Sequence, residues 1–306
     1  MSRHDRPTSR RDFLREGLRS LVHAGFGGVF EKLERVSELM ERGEPKPAPL
    51  TPVLSCETRA LHPLLETGQL TLETSCTVLR ELDIQGISFS SRHLQSLHPR
   101  YLENLRETCY RHNLAITGVM VSEPINLNDE PSLTRRLEEV VEYLQAAAVL
   151  GAPLIRLHLS GEREDELFER SAHLLQRLLP EARRRRVRIT LENREGIGRR
   201  PELLVSLIRA TEPRWIGVCF DFGHGGPERI YDAARLLAPY AFHAHAKSHA
   251  FDPRGEETSI DYGRILSSLR LASYVGALSI EYLGESDPLD GIRKTRDLIR
   301  RYWRAY

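Results

Sequence analysis

The chain has 306 residues, 40% hydrophobic and 28% charged, with 44 Lys and Arg against 43 Asp and Glu for a net charge of +1. That balance fits a globular chain able to bury a sizeable core and lacks the basic excess of a nucleic-acid binder. No run of 18 apolar residues exists, so no membrane-spanning helix is expected, and the four cysteines (Cys56, Cys76, Cys109, Cys219) form no CxxC pair, which argues for buried thiols and against a zinc knuckle or a disulfide framework.

The first 49 residues form an extension. "SRRDFLR" (9–15) looks like a twin-arginine export signal, with Arg10 and Arg11 followed by Phe13 and Leu14. The stretch after it is a poor signal core, because Arg19 and His23 interrupt the apolar run and no A-x-A cleavage site follows. An amphipathic helix is the competing reading, so the cytoplasm is the expected compartment and the periplasm the alternative. Residues 31–43 carry Leu33, Val36, Leu39 and Met40 at helical spacing, and "EPKPAPLTP" (44–52) reads as a stiff proline-rich linker.

From residue 50 onward, short apolar runs alternate with longer amphipathic ones. The strand candidates are 53–57, 84–90, 114–121, 153–159, 187–192, 215–221, 241–247 and 277–282. Helical patterns such as 132–150, 165–186 and 288–303 lie between and after them. Eight strands each followed by a helix imply a parallel sheet, and residues 50–306 are the usual length for a (β/α)8 TIM barrel. An open doubly wound sheet is the alternative, but no glycine-rich nucleotide turn follows the first strand. The run "RRRR" (183–186) falls at a helix C-terminus, where cations complement exposed carbonyls; it is a solvated helix end, not a nucleic-acid motif.

Barrel chemistry sits where strands end and βα loops begin. The fifth run ends in Glu192, the sixth in Asp221, the seventh in His245 and Lys247, and the eighth in Glu281. Parity gives these ends a common direction. Counting back by twos from Asp221 meets Cys219 and Gly217, and from Glu281 meets Ser279 and Ala277; Val218, Phe220, Leu278 and Ile280 fall on the opposite face. Small residues toward the axis and large apolar ones toward the helices place the carboxylates inward at the rim. Carboxylates with one imidazole suit a hard or borderline divalent ion such as Mn²⁺, Mg²⁺, Co²⁺ or Zn²⁺, which removes the repulsion among the acids. In "FHAHAKSHAFD" (242–252) alternation sends both His243 and His245 to that side, and parity alone does not choose between them. Arg156 and His158 share one parity in the fourth run, where a core role and a pocket role are both open, and His249 reads as a loop residue.

"ITLENREG" (189–196), "GVCFDFGHG" (217–225), "FHAHAKSHAFD" (242–252) and "SIEYLGESDP" (279–288) stand at four successive strand ends. Together they resemble the xylose isomerase-like barrels, the sugar phosphate isomerase/epimerase and endonuclease IV group, over roughly residues 50–306. "IDYGRILSSLRLASYVGALSIEY" (260–282) is similar to the closing helix–strand unit of those isomerases. The resemblance implies one divalent metal held by Glu192, Asp221, His245 and Glu281, with His224 and Lys247 facing substrate oxygens and His243 one step deeper. It implies that Glu192 and Glu281 act as the proton-transferring pair on a sugar or sugar-like hydroxy-ketone, through an enediolate. Two departures bear on the substrate: Arg194 and Ser248 stand where many relatives have histidine and aspartate.

The expected activity is therefore a metal-dependent sugar isomerase or epimerase with a small carbohydrate substrate and neither nucleic-acid nor membrane partner. An endonuclease IV-like phosphodiesterase is the rival, but the second and third runs end in "SFS" and "VMV", without the histidines its multinuclear site needs; His93 and His98 lie beyond, off the strand ends. A lyase or dehydratase on the same site shares the first chemical step. A barrel that binds metal or carbohydrate without turnover is the non-enzyme alternative.

Overall fold

The computed structural model describes residues 52–128, 130–161, 164–194, 196–226 and 229–304. The extension expected at 1–49, with its export signal, helix and linker, lies outside these residues. Ten strands occur among those described: β1 (Val53–Glu57), β2 (Gly86–Ser90), β3 (Ala115–Met120), β4 (Ile125–Asn126), β5 (Leu154–Leu157), β6 (Leu159–Ser160), β7 (Arg188–Glu192), β8 (Ile216–Asp221), β9 (Ala241–Ser248) and β10 (Ala277–Tyr282). Eight close into a parallel barrel in the order β1-β10-β9-β8-β7-β5-β3-β2, and β4 pairs with β6 as a small separate ribbon. The expected (β/α)8 barrel is present, and every expected strand run contains a barrel strand within a few residues of its bounds.

Among the described residues nine α-helices lie between and after the strands: α1 (His62–Glu66), α2 (Leu72–Glu81), α3 (Pro99–Arg111), α4 (Glu130–Leu150), α5 (Glu164–Arg185), α6 (Pro201–Ala210), α7 (Arg229–Leu237), α8 (Tyr262–Leu271) and α9 (Pro288–Arg304). Local sequence sets their ends. Thr71 caps α2, accepting from the Thr74 N–H at 3.2 Å while its own N–H donates to Thr74 Oγ1 at 2.8 Å. Asp261 caps α8, accepting from the Arg264 N–H at 3.0 Å. Arg183, Arg184 and Arg185 occupy the last turn of α5, as their charge favours, with Arg184 reaching Glu181 and Arg183 reaching Glu212. No helix among the described residues is long and apolar enough to cross a membrane.

Two layers of packing follow from strand parity. Between strands and helices lies the apolar shell: Val218, Phe220, Leu278 and Ile280 are fully buried. Inside, small polar groups meet across the barrel, Ser55 Oγ with Thr117 Oγ1 at 2.8 Å and Ser88 Oγ with Ser279 Oγ at 2.9 Å. The long charged residues Glu192, Lys247 and Glu281 stand further along, toward the strand ends, and are buried. The ring is stapled shut from outside by α9: Arg296 donates to the Leu82 carbonyl at 2.7 Å and Arg300 pairs with Asp83 at 2.6 Å, tying the last helix to the first βα unit.

Candidate active site

Parallel register brings the strand ends to one level. Asp221 lies opposite His245, and Glu281 opposite Lys247, on adjacent strands. Glu192, Asp221, His245, Lys247 and Glu281 are all buried. The five strand-end residues expected from sequence thus converge, and His224 joins them from the β8–α7 loop with its ring 27% exposed.

His245 is the hub. Its Nδ1 stands 3.1 Å from Glu192 Oε1 and 3.8 Å from Asp221 Oδ2, and its Nε2 faces Glu57 Oε2 at 3.4 Å. Lys247 Nζ lies 2.7 Å from Asp221 Oδ2, 3.0 Å from Glu281 Oε2 and 3.1 Å from His224 Nε2. His158 Nδ1 is 3.0 Å from Glu192 Oε2, and Arg156 reaches toward both Glu192 at 4.0 Å and Glu57 at 3.8 Å. His243, one step deeper, packs edge-on against His245 and is buried.

Loop residues hold these groups in place. The Asp221 N–H donates to Asn193 Oδ1 at 2.6 Å, while Asn193 Nδ2 donates to the carbonyls of Asp221 at 3.0 Å and His224 at 3.3 Å. One amide therefore locks the end of β7 to the loop carrying His224. Gly223 is needed for space: a Cβ there would stand 2.4 Å from Lys247 Cδ, so any side chain would displace the lysine stem. The Gly223 N–H also caps Asp221 Oδ1 at 2.7 Å.

Three of these groups had no settled role in the sequence. Glu57 ends β1 with the same inward parity as Ser55, which was the available signal; one acid closing a five-residue strand stands out only once the barrel closes. Arg156 and His158 prove to face the site. Asn193 follows the Glu192 motif but carries structure rather than charge.

Electrostatics sort the acids. Burial works against the Glu192 charge, but Arg156 and His245 hold its carboxyl well below the usual range. Asp221 is likewise held low, with Lys247 overcoming burial. Glu281 behaves oppositely: burial, with Glu57 and Asp221 nearby, pushes it up to about 7 despite Lys247. Burial opposes a charge on His245, yet Cys219, Glu57 and Asp221 around the ring raise it well above the ordinary histidine value. His158, buried beside Arg156, is lowered to about 3 and stays neutral.

The donor set can accommodate a divalent ion. Four buried carboxylates, Glu57, Glu192, Asp221 and Glu281, face two buried permanent cations, Arg156 and Lys247. Setting aside the half-exposed Arg59, which reaches Glu281 at 3.4 Å, the two negative charges left over match one divalent ion with His245 neutral. Without an ion, protons on His245 and Glu281 give the same balance. Two clusters have their donor atoms within 4.8 Å of one another at this level, Glu57–His245–Glu281 and Glu192–Asp221–His224; the expected four ligands are divided between them. A third, Cys219–His243–His245, lies deeper. Beside the network a cavity of about 580 Å³ opens over Asn193 and His224, with Arg194, Arg199 and Arg229 on its wall.

The match to known proteins follows the barrel. The chain aligns with 39% identity over 72 residues to the C-glycoside deglycosidase alpha subunit of Arthrobacter globiformis, covering 21% of this chain and 20% of that subunit. Among solved structures, 3-keto-D-glucoside 4-epimerase from E. coli superposes with a TM-score of 0.66 at 16% identity, over 82% of this chain and 99% of that one. A D-tagatose 3-epimerase-like protein superposes with a TM-score of 0.66 at 18% identity, over 81% and 96%. Residues 76–302 match the family model described as the xylose isomerase-like TIM barrel. With its closed eight-stranded barrel and a match spanning most of its length, the chain belongs to the xylose isomerase-like TIM barrel family.

Proposed function

We propose that this protein is a divalent-metal-dependent isomerase or epimerase that moves a proton next to the carbonyl of a keto-sugar or similar hydroxy-ketone. The observation that carries the reading is geometric: Glu192 and Glu281 are buried at one rim, with Lys247 Nζ 3.0 Å from Glu281 Oε2 and 3.1 Å from His224 Nε2 beside them. Such a pair can serve as the base and the acid of a proton transfer. The two acids end β7 and β10, three strands apart around the ring, so they approach a bound substrate from different sides.

Glu192 accepts the carbon-bound proton and Glu281 returns one. Return to the opposite face of the same carbon gives epimerisation; return to the neighbouring carbon gives aldose–ketose isomerisation. Lys247 and His224 hydrogen-bond substrate oxygens, and the lysine charge stabilises the enediolate. Glu192, Asp221, His245 and Glu281 are the residues proposed to hold the ion, which supplies Lewis-acid polarisation of the carbonyl when bound. Mn²⁺, Mg²⁺, Co²⁺ and Zn²⁺ all suit such donors. The names of the structural neighbours, a 3-keto-glucoside epimerase and a tagatose epimerase-like protein, support a ketose or keto-glycoside substrate.

A second reading uses the same first step. An enediolate with a leaving group on the next carbon can expel it instead of being reprotonated, and the 72-residue likeness to a deglycosidase subunit supports that branch. A panel of ketoses, keto-glycosides, inositol-derived ketones and hydroxypyruvate, assayed with Mn²⁺ and again after chelation, separates the readings. Inverted or isomerised sugar lost on chelation is the expected result. A released aglycone would favour elimination, and metal binding without turnover on any member would sink the enzymatic reading.

A further inference from the structure

Glu57 is completely buried, and neither of its carboxylate oxygens has a hydrogen-bond partner. Its nearest polar neighbours are His245 Nε2 at 3.4 Å and Arg156 Nη2 at 3.8 Å. A charged carboxylate in a barrel core is stable only when something takes its lone pairs. Asp221 is better placed, with Oδ1 accepting from the Gly223 N–H at 2.7 Å and Oδ2, though without a hydrogen bond, 2.7 Å from the Lys247 ammonium. One oxygen each of Glu192, Asp221 and Glu281 is also without a hydrogen-bond partner, but of these four acids Glu57 has both oxygens open.

His245 points the same way. Its Nδ1 is engaged by Glu192 Oε1 at 3.1 Å, which leaves Nε2 as the nitrogen with no hydrogen-bond partner. A carboxylate on one ring nitrogen and a metal on the other is the arrangement that orients ligating histidines. Nε2 faces Glu57, and Glu57, His245 and Glu281 present donor atoms within 4.8 Å of one another. Two carboxylates and a neutral imidazole neutralise one divalent ion.

We propose that Glu57 would be a metal ligand, joining His245 Nε2 and Glu281. The motif set at the ends of β7 to β10 does not contain it. The proposal rests on the metal reading above but assigns a donor outside that set, and Glu192 then serves chiefly to orient His245 and to act as the base.

The test is Mn²⁺ titration of the full-length chain by calorimetry, with thermal unfolding measured with and without MnCl₂. Wild type should bind one Mn²⁺ and gain thermal stability from it. Glu57→Gln should weaken Mn²⁺ affinity by about 30-fold or more, within the range seen when a metal site loses a supporting group and beyond. The same variant, measured without metal, should melt no lower than wild type, because it removes a buried carboxylate that has no hydrogen-bond partner. Glu57→Asp should recover part of the affinity. Unchanged affinity in Glu57→Gln beside a wild type that binds would overturn the proposal alone. A lower metal-free melting temperature in Glu57→Gln would also overturn it, marking Glu57 as an ion-pair partner of Arg156. A wild type that binds no Mn²⁺ would overturn both the proposal and the metal reading beneath it.

Discussion

Glu192 and Glu281 are the same residue type at the ends of two barrel strands, and their surroundings differ. Arg156, His158 and His245 crowd Glu192, whereas Glu281 shares the buried Lys247 with Asp221 and meets the half-exposed Arg59 at 3.4 Å. Replacing either acid by Gln should lower turnover by about 100-fold or more, the ordinary scale for losing a general acid or base. Metal content measured on the same samples separates a lost proton-transfer group from a lost ligand. Turnover within a few-fold of wild type, with metal retained, would remove that residue from the reaction. At this scale the sequence was informative where strand parity and a motif coincided, as at Asp221 and His245. It was uninformative at Glu57, because convergence across the β1–β10 seam is a property of closure and leaves no local pattern.

Individual elements add two tests. Asn193 makes three hydrogen bonds between the end of β7 and the His224 loop. Asn193→Ala leaves buried backbone groups unpaired and should cost about 2–3 kcal/mol in denaturant unfolding; a loss under about 0.5 kcal/mol would mean the loop finds other partners. On the β1 and β2 side, His93 bonds Thr58 Oγ1 at 2.9 Å and His62 Nδ1 at 3.0 Å. Burial, then His62 and Arg92, lower it to about 4. An unfolded histidine protonates near 6.5. Between these values the unfolded chain binds the extra proton, so stability falls as pH drops through that window. His93→Gln should flatten the melting temperature against pH between about 6.5 and 4; an unchanged slope would contradict the assignment. The long elements were readable because their apolar periods repeat. The β4–β6 ribbon was not, since two-residue strands carry no period.

The whole molecule is a scaffold that brings residues from distant parts of one chain to a single rim, and Glu57 and Glu281 stand at its two ends in sequence. We propose that residues 50–306 are the working unit. A chain beginning at residue 50 should keep its Mn²⁺ affinity and melting temperature within about 3 °C, a shift worth roughly 1 kcal/mol for a barrel this size. Replacing Arg10 and Arg11 by Lys tests the export motif: an unchanged distribution between cell fractions is expected if the cytoplasm is the normal compartment. Barrel class was legible because eight alternating units leave few alternatives, while substrate identity was not, since the cavity wall with Arg194, Arg199 and Arg229 is assembled from separate loops. In the proposed function, what joins an ion, the two acids and a keto-sugar is transfer of a proton at carbon. Turnover of the identified substrate in D₂O, followed by NMR, should place solvent deuterium on the carbon that changes configuration or oxidation level. Full retention of the original hydrogen with turnover intact would contradict it, indicating a hydride shift in which Glu192 and Glu281 carry no proton.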